Sequence, residues 1–210
     1  TEAHVIASLP LDGPWPWGSV GLPLAGIEVE VVDAAGQLLP AGEVGAVRVR
    51  GPNLFREYWR NPEATAKAFA GGWFHSGDLV RQDDEGFVWV VNRKKDMIIS
   101  GGENIYCAEL EHAIAEHPSV AEVAVIGRAD ERWGQVPVAF VSVTSGADLS
   151  LAELTGFLDG RLASFKKPKD LVVLPALPRN AGGKVVKGSL RTLDEENAAT
   201  GPDPDRRSPS

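Results

Sequence analysis

The chain has 210 residues, of which 43% are hydrophobic, and a formal net charge of −8; this is apolar material for one large or two small domains, and the charge excludes a surface dominated by nucleic-acid binding. Its single cysteine, Cys107, excludes an intrachain disulfide and fits a reducing, cytoplasmic setting. No apolar run reaches bilayer-spanning length, and the N-terminus TEAHVIASLPLDG has no basic region ahead of an apolar segment, so no transmembrane span or signal peptide is expected.

In chain order, the first strong pattern is GIEVEVVDAAGQLLPAGEVGAVRVRG. Ile27, Val29 and Val31 alternate with Glu28 and Glu30, and Val47 and Val49 alternate with Arg48 and Arg50, which predicts half-buried antiparallel strands. NPEATAKAF reads as a short helix with Asn61 as cap and Pro62 at its first position. GGWFHSGDLV and GFVWVVN read as further strands joined through the acidic turn QDDEG.

From Asn92 the texture changes to alternating helices and strands. In NRKKDMIISGGENIYCAELE, Met97, Ile98 and Ile99 form an apolar anchor ahead of Gly101 and Gly102. YCAELEHAIAEH then places Leu110, Ala113, Ile114 and His117 at helical spacing, and Pro118 stops it. VAEVAVIG and VPVAFVSV are strand-like. SLAELTGFLDGRLASF opens with a Ser150 to Glu153 capping box and carries Leu151, Leu154, Leu158 and Leu162 on one face. The last segment, 194–210, lacks apolar residues to bury and is expected to be disordered. The class is α+β: a β-rich part, then a small α+β part, with the boundary at Arg93–Asp96. That boundary is charged and only a few residues long, which suits a pivot better than a loose tether.

Between Arg161 and Arg191 lie eight Lys or Arg and a single acid, Asp170, a composition that calls for nearby anions such as phosphates or for a solvated basic face. Within it, PRNAGGKVVKGSLR sets Lys184 behind two glycines, where backbone can approach a ligand and a mobile ammonium can follow developing charge. It is not a Walker loop, because Pro178 stands at the first glycine position and Val185 at the Ser/Thr position. In FHSGDLV, Asp78 could accept two hydrogen bonds from a sugar diol, or be an ordinary turn residue. His75, Ser76 and Asp78 do not make a hydrolase triad, because neighbours on one strand alternate faces. His112 and His117, five residues apart, miss the spacing of paired helical ligands and are read as surface or capping residues, and no G-x-G-x-x-G occurs.

The order of these elements closely resembles the acyl-adenylate-forming superfamily, specifically its acyl-CoA synthetases: Thr1-Glu2, GEVGAVRVRGPNLFREYWRNPEAT, GGWFHSGDLV, NRKKDMIISGGENIYCAELE and NAGGKVVK, spanning Thr1 to about Leu193. The resemblance implies ATP, Mg2+, coenzyme A and a carboxylic acid, expected to be fatty or otherwise apolar, as reactants and cofactors. It implies that residues 1–94 are the C-terminal part of a large ATP-binding domain, with 95–193 a small mobile domain and 194–210 a tail. Thr1 matches a threonine that contacts ATP phosphate, and Glu2 a glutamate that helps hold Mg2+. Asp78 matches an aspartate on the ribose hydroxyls, Arg93 an arginine that reaches the nucleotide, Lys95 the hinge, and Lys184 the lysine of adenylation. Gly101 and Gly102 are expected beside the channel for the CoA arm. Cys107 stands where such synthetases commonly carry proline. The phosphate loop and most of an acyl pocket would precede Thr1, so the chain alone is expected to be inactive. Ligation of the acid to a carrier protein and a non-catalytic nucleotide- or CoA-binding module are the alternatives. No nucleic-acid partner is implied, and a homodimer is compatible with the resemblance.

Overall fold

The computed structural model describes residues 2–200, with side chains described for residues 2–197. The chain divides into two compact units, Thr1–Lys95 and Asp96–Ser210, so the division falls inside the charged segment after Asn92. Each unit has its own sheet, and among the described residues no helix is long and apolar enough to cross a membrane.

In the first unit, β1 (Ala7–Ser8) pairs with β2 (Leu22–Pro23) as a small ribbon. The main sheet holds β3 (Glu28–Val32), β4 (Val44–Arg50), β5 (Phe69–Ala70), β6 (Trp73–Gln82) and β7 (Val88–Arg93), with α1 (Pro62–Ala68) ahead of β5. Its order is β3-β4-β6-β5, β7 also pairs with β6, and every pairing is antiparallel. The alternation of valines fixes the register. Val31 lies opposite Val47 and Val29 opposite Val49, while Glu30 and Glu28 meet Arg48 and Arg50 on the other face as ion pairs. Val31, Val47, Val49, Val80 and Val88 form the core. Phe55, Tyr58, Phe69 and Phe74 make a second, aromatic cluster with ring centroids 4.7–5.5 Å apart. At α1, the Asn61 side chain accepts the Ala64 N–H at 3.0 Å and Pro62 needs no partner for an amide, as the sequence predicts.

The second unit follows a single 3-10 turn, Lys94–Asp96, and contains β8 (Met97–Ser100), β9 (Glu103–Tyr106), α2 (Cys107–Ala115), β10 (Val120–Asp130), β11 (Gly134–Val143), α3 (Leu151–Phe157), β12 (Asp170–Val173) and α4 (Lys187–Thr200). The sheet runs β10-β11-β8-β9, with β12 parallel to β11. Its two faces have separate cores. Val125, Ala139 and Val141 pack with Leu110 and Ile114 of α2, Leu154 of α3 and Leu158 just after it. Ala124, Ile126, Val138 and Phe140 pack with Leu177 and with Leu190 of α4. A register irregularity between Val120 and Glu122 exchanges the faces of β10: Val120 belongs to the α2 side, whereas Glu122, Ala124, Ile126 and Arg128 share the α4 side.

Two expectations change. The segment from residue 194 does not begin as disordered chain, because α4 runs to Thr200 and Asp194 is only 5% exposed; residues 201–210 lie outside the described residues. The anchor in MII is Ile98 alone, 1% exposed, since Ile99 points outward at 50%.

Candidate functional site

β6 and β7 place Asp78 directly opposite Arg93, and the Arg93 Nε lies 2.6 Å from Asp78 Oδ1. Gly77, at φ +79°, and the register shift at Leu79/Val80 bracket Asp78, so its position on β6 is locally irregular. Asp78 lines an apolar depression of about 310 Å3 together with Ala3, Ser76, Val80, Val88 and Val90. Two of the expected nucleotide residues are thus brought together by strand register. Thr1 lies outside the described residues. Glu2 sits beside Leu54–Tyr58: its carbonyl accepts the Phe55 N–H at 2.8 Å, and its carboxylate accepts the Tyr58 hydroxyl at 3.2 Å. Its own backbone N–H first, and then the Tyr58 hydroxyl, hold that carboxyl below the ordinary range for glutamate. An ionised carboxylate oxygen is the donor type Mg2+ takes.

In the second unit, Lys184 closes a tight turn. Asn180 Oδ1 accepts the N–H groups of Gly182 and Lys184, both at 3.0 Å, and the Asn180 N–H donates to the Lys184 carbonyl at 2.9 Å. The Lys184 side chain is exposed and has no ion pair among the described residues. Asn ahead of Gly-Gly is a turn signal visible in the sequence, but its hold on Lys184 emerges only from the fold.

Lys95 is exposed, and Asp96 after it is fixed twice: Arg191 Nη2 lies 3.0 Å from its Oδ1, and the Cys107 thiol donates to its carbonyl at 2.7 Å. Gly101 and Gly102, at φ +59° and +87°, form the two-residue turn between β8 and β9. A Cβ on Gly101 would come within 2.8 Å of the Trp133 ring, whereas one on Gly102 would meet open space. The turn alone therefore accounts for both glycines.

The basic stretch is largely neutralised by acids from other parts of the same unit. Arg161, Lys166, Lys167, Arg179, Lys187 and Arg191 pair with Glu116, Glu109, Asp159, Glu122, Glu111 and Asp96 respectively. Lys169 and Lys184 are the two of the eight with no ion pair among the described residues. The surplus of cations in 161–191 is thus not a general anion-binding face, because its acids come from elsewhere in the unit. His112 is exposed beside Glu116, while His117 is buried, with its ring against Phe157 at 4.7 Å and its Nδ1 accepting the Ser119 N–H at 3.2 Å.

Residues 1–59 match the family model described as AMP-binding enzyme, and residues 109–184, ending on Lys184, match the one described as AMP-binding enzyme C-terminal domain. The chain is 46% identical over 195 residues to the indoleacetate–CoA ligase of Aromatoleum aromaticum, a match covering 92% of this chain and 38% of that protein. The ATP-bound structure of MatB from Rhodopseudomonas palustris has a TM-score of 0.85 at 40% identity, covering 93% of this chain and 39% of that one. The o-succinylbenzoate coenzyme A synthetase (MenE) of Bacillus subtilis, in complex with ATP and magnesium, has a TM-score of 0.76 at 41% identity, covering 83% and 36%. The chain therefore spans less than half the length of the relatives it matches. Two family models matched in the same order as the motifs, at these identities, show that the chain belongs to the acyl-adenylate-forming, AMP-binding enzyme superfamily.

Proposed function

We propose that this chain forms part of an ATP-dependent acid–thiol ligase that activates a carboxylic acid as its acyl-adenylate and transfers the acyl group to coenzyme A. The observation that carries the reading is Lys184: an unpaired ammonium on the closing residue of a braced turn, at the end of the matched C-terminal family segment. In the first half-reaction the acid's carboxylate oxygen attacks the α-phosphate of ATP and pyrophosphate leaves. Lys184 offers positive charge where negative charge gathers between carboxylate and phosphate. Asp78 would accept the ribose hydroxyls, with Arg93 turned toward the nucleotide from the same register position, and Thr1 would contact a phosphate. Glu2 would hold Mg2+, which when bound neutralises phosphate charge. In the second half-reaction the CoA thiol attacks the acyl carbonyl and AMP leaves. Lys95 would be the pivot between the two halves, and Gly102, facing open space, would leave room for the CoA arm.

For the acid, the relatives' names favour an aromatic carboxylic acid over the fatty acid suggested by sequence. A full-length enzyme should release pyrophosphate faster with arylacetates or arylcarboxylates than with fatty acids of graded length, and should form the thioester only with CoA. Lys184→Ala should slow pyrophosphate release by about 100-fold or more, the scale of losing an electrostatic stabiliser, while leaving thioester formation from supplied acyl-AMP within a few-fold of wild type. Equal loss in both half-reactions would refute the role of Lys184, and acyl-AMP accumulating in the presence of CoA would point to a carrier-protein acceptor instead.

A further inference from the structure

The bonds inside the Lys184 turn fix its shape but not its place on the domain. Asn180 ties only to Gly182, Gly183 and Lys184, and the Val186 N–H reaches back to Pro178 at 2.8 Å. Among the described hydrogen bonds of residues 179–184, the one that leaves the turn is made by Arg179. Its Nη1 donates to the Gly183 carbonyl at 2.5 Å, and its Nη2 bonds Glu122 Oε1 on β10. A planar guanidinium can hold both acceptors at once, the residue before the lysine and the edge of the sheet. The register irregularity at Val120/Glu122 is what turns Glu122 to the α4 face, where the turn lies within reach, and Ser142 opposite it contacts the other carboxylate oxygen at 3.5 Å.

We propose that Arg179, held by Glu122, is a positioning residue for Lys184 in the adenylation half-reaction. This rests on the role of Lys184 given above. The pair is partly exposed, 43% and 34% for the two side chains, so it adds little to stability. Its effect is on placement, and a displacement of about 1 Å in a reacting constellation can cost on the order of 100-fold in rate.

The test uses the full-length enzyme with R179A, R179K, E122Q, K184A and the double variant R179A/K184A. R179A should lower kcat for pyrophosphate release by about 10- to 100-fold, with KM for ATP within about threefold of wild type and thioester formation from acyl-AMP unchanged. R179K should restore only part of the rate, because an ammonium cannot span both acceptors, and E122Q should reproduce part of the loss from the other side of the contact. Amide hydrogen exchange in the peptide covering residues 180–185 should quicken in R179A while the melting temperature stays within about 2 °C. If Arg179 acts through Lys184, R179A adds nothing in the K184A background. An additive loss there, equal loss in both half-reactions, or wild-type rate and exchange in both R179A and E122Q would overturn the proposal. Full adenylation by K184A would remove the reading on which it rests and the proposal with it; impaired K184A beside unimpaired R179A and E122Q would remove the proposal alone.

Discussion

Asp194, where sequence expects the disordered tail to start, ties α4 to β10 through Arg128. Its carboxylate, 6% exposed, receives Arg128 Nε at 2.7 Å and Nη2 at 2.5 Å, while Arg128 Nη1 reaches Asp170 at 2.8 Å. Asp194 first, and Asp170 after it, raise the Arg128 pKa above the usual guanidinium value. Asp194→Asn keeps the shape but presents an amide N–H2 to the guanidinium in place of one oxygen. Removing one partner of a fully buried pair costs roughly 3–5 kcal/mol. Arg128 is 32% exposed and keeps Asp170, so the loss here should be about 2–3 kcal/mol. For a unit of this size that lowers its melting temperature by roughly 10–20 °C. Calorimetry on the 210-residue chain should show the transition of the second unit move while the first stays, and hydrogen exchange should place the loosening in α4. Arg128→Met with Asp194→Leu should recover part of the loss, since a matched apolar pair leaves no buried charge unpaired and Asp170, which loses Arg128, is 44% exposed to solvent. A shift under 2 °C for Asp194→Asn, or α4 amides as protected as in wild type, would refute the anchor.

Gly101→Ala should cost about 2–3 kcal/mol in urea unfolding, from the left-handed φ plus the Trp133 contact, and Gly102→Ala only about 1–2 kcal/mol from φ alone; Trp133→Leu should narrow that gap, and equal costs would contradict the contact. Burial first, with Glu111 and Asp96 adding and Lys187 and Arg191 opposing, pushes the Cys107 thiol up to about 11 from an ordinary 9.0. A raised folded-state pKa gives stability that is complete below pH 9 and lost as pH rises toward 11, on the order of 2–3 kcal/mol. Urea midpoints of wild type should therefore fall across pH 9–11 more steeply than those of Cys107→Val; parallel slopes would refute this.

What was legible in the sequence was local. The β3–β4 register follows from valines alternating with Glu and Arg, α1 from Asn61 and Pro62, the β8–β9 turn from two adjacent glycines, and the start of α3 from Ser150, whose hydroxyl accepts the Glu153 N–H at 3.2 Å. What was not legible depends on partners far along the chain. Asp194 and Arg128 are 66 residues apart, and Arg179 and Glu122 are 57 apart, so neither short-range periodicity nor composition could pair them. Asp78 and Arg93 each stood out through a motif, but their meeting at 2.6 Å is a consequence of strand register. Sequence predicts His117 as a surface or capping residue; its Nδ1 does accept the Ser119 N–H, but its burial follows from Phe157 of α3, 40 residues away.

The same distance effect reverses the electrostatic reading of residues 161–191. Counted along the chain, eight cations and one acid describe a field that would draw any anion. Folded, Glu109, Glu111 and Glu116 from α2 or its end, Asp159 beyond α3, Glu122 from β10 and Asp96 from the 3-10 turn each take one cation. Those contacts fasten helices, turn and loops to one another and, through Glu122, to β10, and they leave little charge over for a diffuse surface. A lysine meant to follow charge during a reaction needs the opposite arrangement, with a fixed backbone and an uncommitted ammonium. Lys184 has both, since its N–H and carbonyl are tied to Asn180 while its side chain is exposed and unpaired among the described residues. Neutralising the neighbours therefore narrows the free cations to two: in a segment left fully basic, the charge of Lys184 would be one among eight, whereas here it and Lys169 project from a largely compensated background, and Lys184 alone of the two stands behind the glycine turn.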